Sequence, residues 1–337
     1  MTKHLLLMFL TLLIAACNTP HTNKMPEWIN GNSQRYSTAL YLTGRGSGDN
    51  AQDAKDRARS DLAKQFEVII DESSQQSQAF VSTEVKGHEK HSLDQSVSRQ
   101  LNTYTTRDLA GVEIAEQWQS PETHSYHALA VLSRDRAQRQ FEQEIAAYDD
   151  ASRSDIQRAQ SEKSNLLKAA LLQRALNNQQ LRSGVQRSLQ VVDSSGRGRP
   201  SLFSLSTLKQ SRDALLKQVS VQAITSEGEV SELQKLLTAV LAETGFKSGD
   251  NQSSDYQVTA LLINDPIEEE RGWYWLRGTL QITLLDALGH ELGVQRWSLK
   301  VSATTEKRAQ QRMLSEASTT LKQNLRDSLL GFVLDQD

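Results

Sequence analysis

The sequence predicts an α+β protein made of two small α/β domains, in which helices pack on mainly antiparallel sheets, joined by a helical spacer. Three observations carry this prediction. Strand and helix patterns alternate through residues 25–133, a purely helical pattern fills 134–195, and strands and helices alternate again through 196–337. A length of 337 residues also exceeds the usual size of one domain, so two domains are expected.

The first domain is predicted to start with a strand and a helix. An apolar strand at 39–43 ends at a glycine turn, and a helix follows with Asp49 or Asn50 as its N-cap. One side of this helix carries small or apolar residues at helical spacing: Ala51, Ala54, Ala58 and Leu62. Such a face lets a helix lie close against a sheet. Further strands are expected at three places: 66–70, 111–118 and 124–132.

The glycine turn offers one chemical alternative. A strand, then Gly44, Gly46 and Gly48, then a helix imitates a dinucleotide-binding unit, in which glycines let a phosphate approach the helix N-terminus. The third glycine of that fingerprint would fall at Asp49, whose carboxylate competes with a phosphate for the positive end of the helix. The alternative function is a protein or enzyme that binds a small anion or nucleotide here. The simpler interpretation is a tight turn before a capped helix.

The histidines do not have the spacing of metal ligands, so no metal site and no cofactor are predicted. His124 and His127 lie three residues apart in a predicted strand and therefore point to opposite faces. His88 and His91 lack the i, i+4 spacing of zinc-binding helices. Four apolar residues near them form one narrow helical stripe: Leu93, Val97, Leu101 and Tyr104. This stripe is expected to pack either on its own domain or on a neighbouring subunit.

The second domain is predicted to contain a helix, a strand, a helix, three strands and a final helix. The middle one of the three strands, 273–285, alternates between apolar and polar residues, so one of its faces belongs to the core. Its core residues are Leu276, Gly278, Leu280, Ile282 and Leu284. The final helix, 306–330, repeats apolar residues at helical spacing: Ala309, Met313, Ala317, Leu321 and Leu325.

The start of that middle strand holds the densest aromatic cluster of the chain. Trp273, Tyr274 and Trp275 are flanked by Arg271 and Arg277. Aromatic residues and arginine are enriched where proteins bind one another, so this cluster is the candidate partner surface. In the alternative interpretation, two of the three rings cover the end of the domain core.

The first residues of the sequence predict a targeting signal. An apolar run at 5–14 follows a basic start and is too short for a membrane-spanning helix, so residues 1–16 are predicted to be a signal peptide. Ile14, Ala15 and Ala16 precede Cys17, the single cysteine of the chain. These four residues resemble the lipobox of bacterial lipoproteins. The resemblance implies cleavage before Cys17, acylation of Cys17, and a lipidated tether over residues 17–24. In the alternative interpretation, Cys17 is only part of an apolar segment that is not lipidated.

Net charge, hydropathy and the residue after Cys17 predict where the protein is located and what it does not bind. The formal net charge of -3 leaves no basic stripe for nucleic acid, and no second apolar run is long enough to span a bilayer. Asn18 stands where an aspartate retains enterobacterial lipoproteins in the inner membrane. The expected location is therefore the periplasmic side of the outer membrane, with acyl chains on Cys17 in the lipid bilayer.

Several segments of the first domain together resemble the LPP-twenty family of bacterial outer-membrane lipoproteins. They are Pro26-Glu27-Trp28-Ile29, Gly44-Arg45-Gly46-Ser47, Ala58-Arg59, Leu62-Ala63, Leu109-Ala110-Gly111-Val112 and the strand 125–131. The resemblance covers roughly residues 25–135. It implies no catalytic residues, and characterised relatives build envelope assemblies that include rings around the flagellar motor. The second domain resembles, in layout alone, periplasmic lipoprotein domains that assemble secretion channels or activate cell-wall synthases.

The function predicted from the sequence is therefore a non-enzymatic, lipid-anchored lipoprotein of the outer membrane. It is expected to scaffold or regulate an envelope complex, as a flagellar-motor ring or disk subunit or as an activator of a cell-wall synthase. Its expected partners are the bilayer, an envelope protein and, left open, further copies of the chain.

Overall fold

The computed structural model describes residues 24–81, 111–224, 230–249 and 254–336, with the side chains of 67–81 and 230–231 left out. The predicted stripe at 93–104 lies outside these residues. The described residues form two compact units: the first comprises 24–68 with 111–137, and the second comprises 69–81 with 138–224, 230–249 and 254–336. None of the described helices combines the length and apolar character needed to cross a membrane.

The first unit contains a three-stranded antiparallel sheet. Its elements are α1 (Glu27–Asn30), β1 (Tyr41–Gly48), α2 (Ala51–Val81), β2 (Glu113–Gln119) and β3 (Tyr126–Ser133). The sheet order is β1-β3-β2, so β3 is the central strand. Asn50 caps α2, since its Oδ1 accepts the Asp53 backbone N–H at 2.9 Å.

The strand predicted at 66–70 is wrong, because α2 continues through these residues to Val81. The apolar run there favours a strand by composition. Phe66, however, lies four residues after Leu62 and extends the buried helical stripe that begins at Ala54. Its side chain is only 2% exposed. The helical period therefore overrides the local preference for a strand.

The second unit contains the remaining helices and a six-stranded mixed sheet. Its elements are α3 (Arg134–Ser161), which begins in the first unit, α4 (Asn165–Val192), α5 (Leu205–Leu216), β4 (Ser220–Ile224), α6 (Val230–Glu243), β5 (Lys247–Ser248), β6 (Tyr256–Asn264), β7 (Glu268–Glu270), β8 (Trp273–Asp286), β9 (Glu291–Ala303) and α7 (Glu306–Leu334). The sheet order is β5-β4-β6-β8-β7, and β9 pairs with β8. β4 runs parallel to β5 and β6, while β6, β7 and β9 run antiparallel to β8. The predicted α+β class is confirmed.

One large apolar core lies between this sheet and its helices. The predicted core residues of β8 are buried, and α7 buries the predicted stripe from Ala309 to Leu325 and continues it through Val333. From the predicted helical segment 134–195, α4 adds Leu166, Ala169 and Ala170 to this core.

A buried polar network joins α3, α4 and the segment after α4. Arg182 donates from Nε to Asp149 at 2.9 Å and from its guanidinium to the backbone carbonyls of Arg199 and Pro200 at 2.9 and 3.0 Å. Gln179 donates to Asp149 at 3.0 Å and to Ser152 at 2.9 Å. Because the Asp149 charge is both paired and hydrogen-bonded, its burial is tolerated. The network fixes how α3 and α4 lie against each other.

Candidate functional site

The lipidation site lies outside the described residues. Ile14, Ala15, Ala16 and Cys17 all precede residue 24, where the described part of the chain begins. Acylation of Cys17 therefore stays a prediction.

The prediction of a glycine turn is wrong. Gly44, Gly46 and Gly48 lie inside β1, where they pair with Ala130, Ala128 and Tyr126 of β3. These glycines make room for α2. A Cβ added to Gly46 would lie 2.2 Å from the Ala54 carbonyl oxygen, and one added to Gly44 would lie 2.3 Å from that of Ala58. The three glycines thus let the backbones of β1 and α2 touch.

The outer edge of β1 is occupied as well. Three side chains of α2, each four residues from the next, bond to backbone groups of alternate residues along this edge. Gln65 donates to the Thr43 carbonyl at 2.9 Å, Asp61 accepts the Arg45 N–H at 3.0 Å, and Arg57 donates to the Ser47 carbonyl at 2.7 Å. Because Gly44, Gly46 and Gly48 lie in a strand that pairs with β3 and packs against α2, they do not form the glycine loop of a phosphate site. The geometry therefore removes the basis of the anion-binding alternative.

The described histidines stand apart from any cluster of metal ligands. Among the residues the structure describes, no group of three or more His, Cys, Asp or Glu side chains could hold a metal ion. His127 shares a hydrogen bond of 3.2 Å with Ser125 and contacts Trp118, with ring centroids 5.5 Å apart. His124 adopts a positive φ of 56° in the turn before β3. His88 and His91 lie outside the described residues.

The aromatic cluster of β8 is divided between the two faces of the second sheet. Tyr274 packs against the core with the helices, whereas strand alternation directs Trp273, Trp275 and Arg277 to the opposite face. Trp273 is 45% exposed. Arg271 lies in the turn between β7 and β8 with a φ of 56°. Three of the five predicted surface residues therefore share one face.

Charged groups line this face beside the tryptophans. The Lys300 ammonium lies 4.8 Å from the centre of the Trp275 ring, which is a cation–π contact. Arg277 pairs with Glu268 at 3.0 Å across β7 and β8. Arg296 donates to Gln281 at 2.7 Å across β8 and β9. These contacts link side chains of neighbouring strands across this face.

Two exposed aliphatic residues complete the face and were missed from the sequence. Leu261 and Ile263 of β6 are 38% and 51% exposed, and they lie opposite Gln281 and Thr279 of β8. Directly opposed residues of antiparallel strands point to the same side, so both belong to the face of Trp273. The run 256–263 looks almost uniformly apolar in the sequence, and only its register with β8 separates the core residues from these exposed ones. We call the surface formed by Leu261, Ile263, Trp273, Trp275, Arg277 and Lys300 the open face.

Several solved structures are weakly similar to this chain. A putative lipoprotein of Caulobacter crescentus has 18% identity and a TM-score of 0.26, covering 35% of this chain and 92% of that chain. The rare lipoprotein B of Shewanella oneidensis has 14% identity and a TM-score of 0.21, covering 35% and 95%. A secreted protein of Helicobacter pylori has 13% identity and a TM-score of 0.39, covering 85% and 98%. TM-scores this low do not indicate a shared function.

Part of the first unit matches a known protein family in sequence. No curated protein matches the chain. Residues 26–133, which include every strand of the first sheet, match the LPP20 lipoprotein family, and this confirms the family resemblance predicted for that segment.

Proposed function

We propose that this protein is a non-enzymatic lipoprotein, anchored by lipid to the periplasmic side of the outer membrane, that scaffolds or regulates an envelope complex. One observation carries the proposal: the match to the LPP20 lipoprotein family begins at residue 26, shortly after the lipobox-like sequence that ends at Cys17. The two features are independent of each other, and both indicate a lipoprotein.

The anchor follows from the energetics of acyl chains. Each buried methylene contributes about 0.8 kcal/mol, so one chain binds a bilayer marginally and two or more bind it stably. Diacylglyceryl addition at Cys17 followed by acylation of its amine would supply more than one chain. The polar residues 18–24 would then separate the first unit from the lipid surface.

The open face of the second sheet is the surface proposed to meet the partner. Its exposed tryptophan and aliphatic side chains offer apolar contact, and Arg277 and Lys300 lie among them. Tryptophan and arginine are enriched in binding hot spots, and the centre of an interface is more apolar than the rest of a protein surface. Both the ring-subunit and the synthase-activator versions of the function need such a surface on the periplasmic side.

Metabolic labelling tests the anchor. Cells that express the full chain are grown with labelled palmitate, and we expect label in this protein and its recovery in the outer-membrane fraction. Cys17→Ser should abolish the label. Asn18→Asp is the matched control, because it keeps the acylated cysteine and should move the labelled protein to the inner membrane in an enterobacterial host. An unlabelled wild-type chain in the cytosol would refute the proposal.

Site-specific crosslinking tests the partner surface. A photoreactive residue at position 261 should capture an envelope protein in intact cells, and Trp273→Ala should lower the yield at least tenfold without lowering the melting temperature. Leu288→Ala is the control, since Leu288 is 82% exposed in the turn between β8 and β9 and lies outside the open face. Equal yields from both variants would exclude the open face as the contact.

A further inference from the structure

The second unit holds an apolar groove that the proposed function does not use. It has a volume of about 760 Å³ and lies between the end of α3, the start of α4, and α5 with the segment before it. Ligand cavities of about 300–1,000 Å³ usually have mostly apolar walls and a few placed polar groups. The volume of the groove lies within this range.

The floor of the groove is apolar and firmly held. Ala159 of α3, Leu172 of α4 and Leu208 of α5 are buried side by side in one cluster, with Phe203 and Leu215 packed against it. The Asp149–Arg182 pair fixes α3 against α4 and also holds the chain just before residue 202. Since the walls are held by buried contacts, the groove exists before any ligand arrives.

One exposed leucine lies at the mouth of the groove. Leu202, which lines it, is 73% exposed. Single exposed leucines are normal on a surface, but Leu202 borders a concave wall that continues to the apolar floor. An alkyl chain entering the groove would cover this rim.

The polar side of the groove carries a single sign of charge. Of its lining residues, Lys168 is the one with a charge, and the other polar ones are neutral: Gln160, Ser204, Thr207, Ser211 and Gln218. Lys168 also interacts with Glu162. Glu162 itself is engaged by the backbone N–H groups of Lys163 and Ser164, at 2.6 and 3.0 Å, in the turn between α3 and α4. The lining as such is therefore complementary to one negative charge.

We infer that this groove binds a long-chain fatty acid, with its alkyl chain on the floor formed by Ala159, Leu172 and Leu208 and its carboxylate at Lys168. A lysine ammonium is a point charge with three donors and can bond a carboxylate oxygen directly. The hydroxyl groups on α5 lie on the same lining and can donate to the second oxygen. The site is independent of acylation at Cys17.

Binding is measured with the chain from Asn18 onward, which keeps every described residue and lacks the cysteine that is proposed to be acylated. We expect palmitate to bind saturably with one site per chain in calorimetry. Affinity should rise by up to about fourfold per methylene from laurate to palmitate, as expected for transfer of alkyl groups out of water. Hexadecanol, which has the same chain without the charge, should bind at least tenfold more weakly.

Two variants separate this site from unspecific binding. Lys168→Gln should weaken palmitate binding about tenfold and leave hexadecanol binding unchanged, while Leu202→Asp should weaken both. Lys217→Glu is the control, because Lys217 is exposed just after α5 and does not line the groove. Unchanged melting temperatures would show that the variants fold.

Three results would overturn the inference. They are the absence of saturable palmitate binding, equal palmitate affinity in wild type and Lys168→Gln, and equal affinity for palmitate and hexadecanol. Capture of a protein helix by a crosslinker at position 202, together with no palmitate binding, would reassign the groove to a protein partner. Because the chain used lacks Cys17, failure here leaves the anchoring proposal untouched.

Discussion

The two units place helices on sheets by opposite means. In the first unit α2 touches β1 through backbone, since Gly44 and Gly46 face Ala58 and Ala54 with no space for a Cβ. In the second unit α7 meets the sheet through large side chains, with Leu321, Leu325 and Leu329 fully buried. Adding side-chain atoms where α2 meets β1 should therefore destabilise the first unit, whereas removing side-chain atoms from α7 should destabilise the second.

The sheets also differ in how their faces are covered. In the first unit α2 lies on one face, and Trp28 packs on Leu129 and Val131 of the other. In the second unit the helices pack on one face, and Trp273 and Ile263 on the other are about half exposed. The sheet of the first unit has apolar contacts on both faces, whereas the sheet of the second unit leaves apolar side chains exposed that a protein partner could contact. This difference is why the partner surface is proposed on the second unit.

The largest expected effect is that of Gly46→Val. The new side chain would overlap the Ala54 carbonyl and the Ala58 N–H, both held in α2, so neither can move without breaking the helix. We expect the first unit to lose its cooperative fold while the second unit keeps its own. Hydrogen exchange should show lost protection in β1 and β3 and unchanged protection in α7.

The control for this substitution is Gly331→Ala in α7. A Cβ at Gly331 meets nothing within 4 Å, and an interior helical glycine costs about 0.5–1 kcal/mol relative to alanine. This variant should therefore be slightly stabilised. If Gly46→Val kept full protection, the backbone contact between β1 and α2 would be disproved.

The second largest expected effect comes from a buried ion pair, which the second unit has and the described part of the first unit lacks. Among the described residues of the first unit, Ser120 is the one buried polar side chain, whereas the second unit buries both Asp149 and Arg182. Arg182→Met leaves the Asp149 carboxylate buried without its cation and should cost about 3–5 kcal/mol in the free energy of unfolding. Urea denaturation measures this change.

A double variant tests the physical reason for that loss. Asp149→Asn combined with Arg182→Met removes both charges, so it should recover most of the lost stability. A loss below about 1 kcal/mol in Arg182→Met alone would mean that the pair is solvated and does not hold α3 to α4.

The smallest effect is a pH dependence in the loop after α4. Hydrogen bonds to Asp193 from the Ser195 hydroxyl, and then from the backbone N–H groups of Ser195 and Gly198, lower the pKa of its carboxyl to about 2. A lowered folded-state pKa stabilises the protein above the unfolded-state pKa of about 4, and this contribution is lost as the pH falls to about 2. The carboxylate is open to water, so the effect on stability is small.

Thermal melts between pH 5 and pH 2 measure this contribution. The wild-type melting temperature should fall more steeply than that of Asp193→Asn, and Ser195→Ala should lie between the two. Identical slopes in all three proteins would show that the Asp193 hydrogen bonds do not contribute.

Patterns carried by one element were predictable. The stripe of α7 and the alternation of β8 each recur within a single segment, so the sequence predicts both the element and its core face. The prediction failed at 66–70, where strand-forming residues continue a helix that is already formed. It failed again at the three glycines, because glycines two apart suit a turn as well as a strand that touches a helix.

The candidate sites consist of residues that are distant in the sequence and meet only in the folded protein. Leu261 joins Trp273 on the open face only through the register of β6 on β8. The groove brings together residues of α3, α4 and α5, and the Asp149–Arg182 pair that fixes its walls links residues of two helices. No local spacing signals such contacts.

The order of neighbouring residues was enough to predict most of the described helices and strands, the resemblance of residues 26–133 to the LPP20 lipoprotein family and the lipid anchor. The packing role of the glycines, the exposed sheet face and the position of the groove became visible only in the folded units. These outcomes depend on which distant surfaces meet, and burial and steric fit settle that only when the whole unit is assembled.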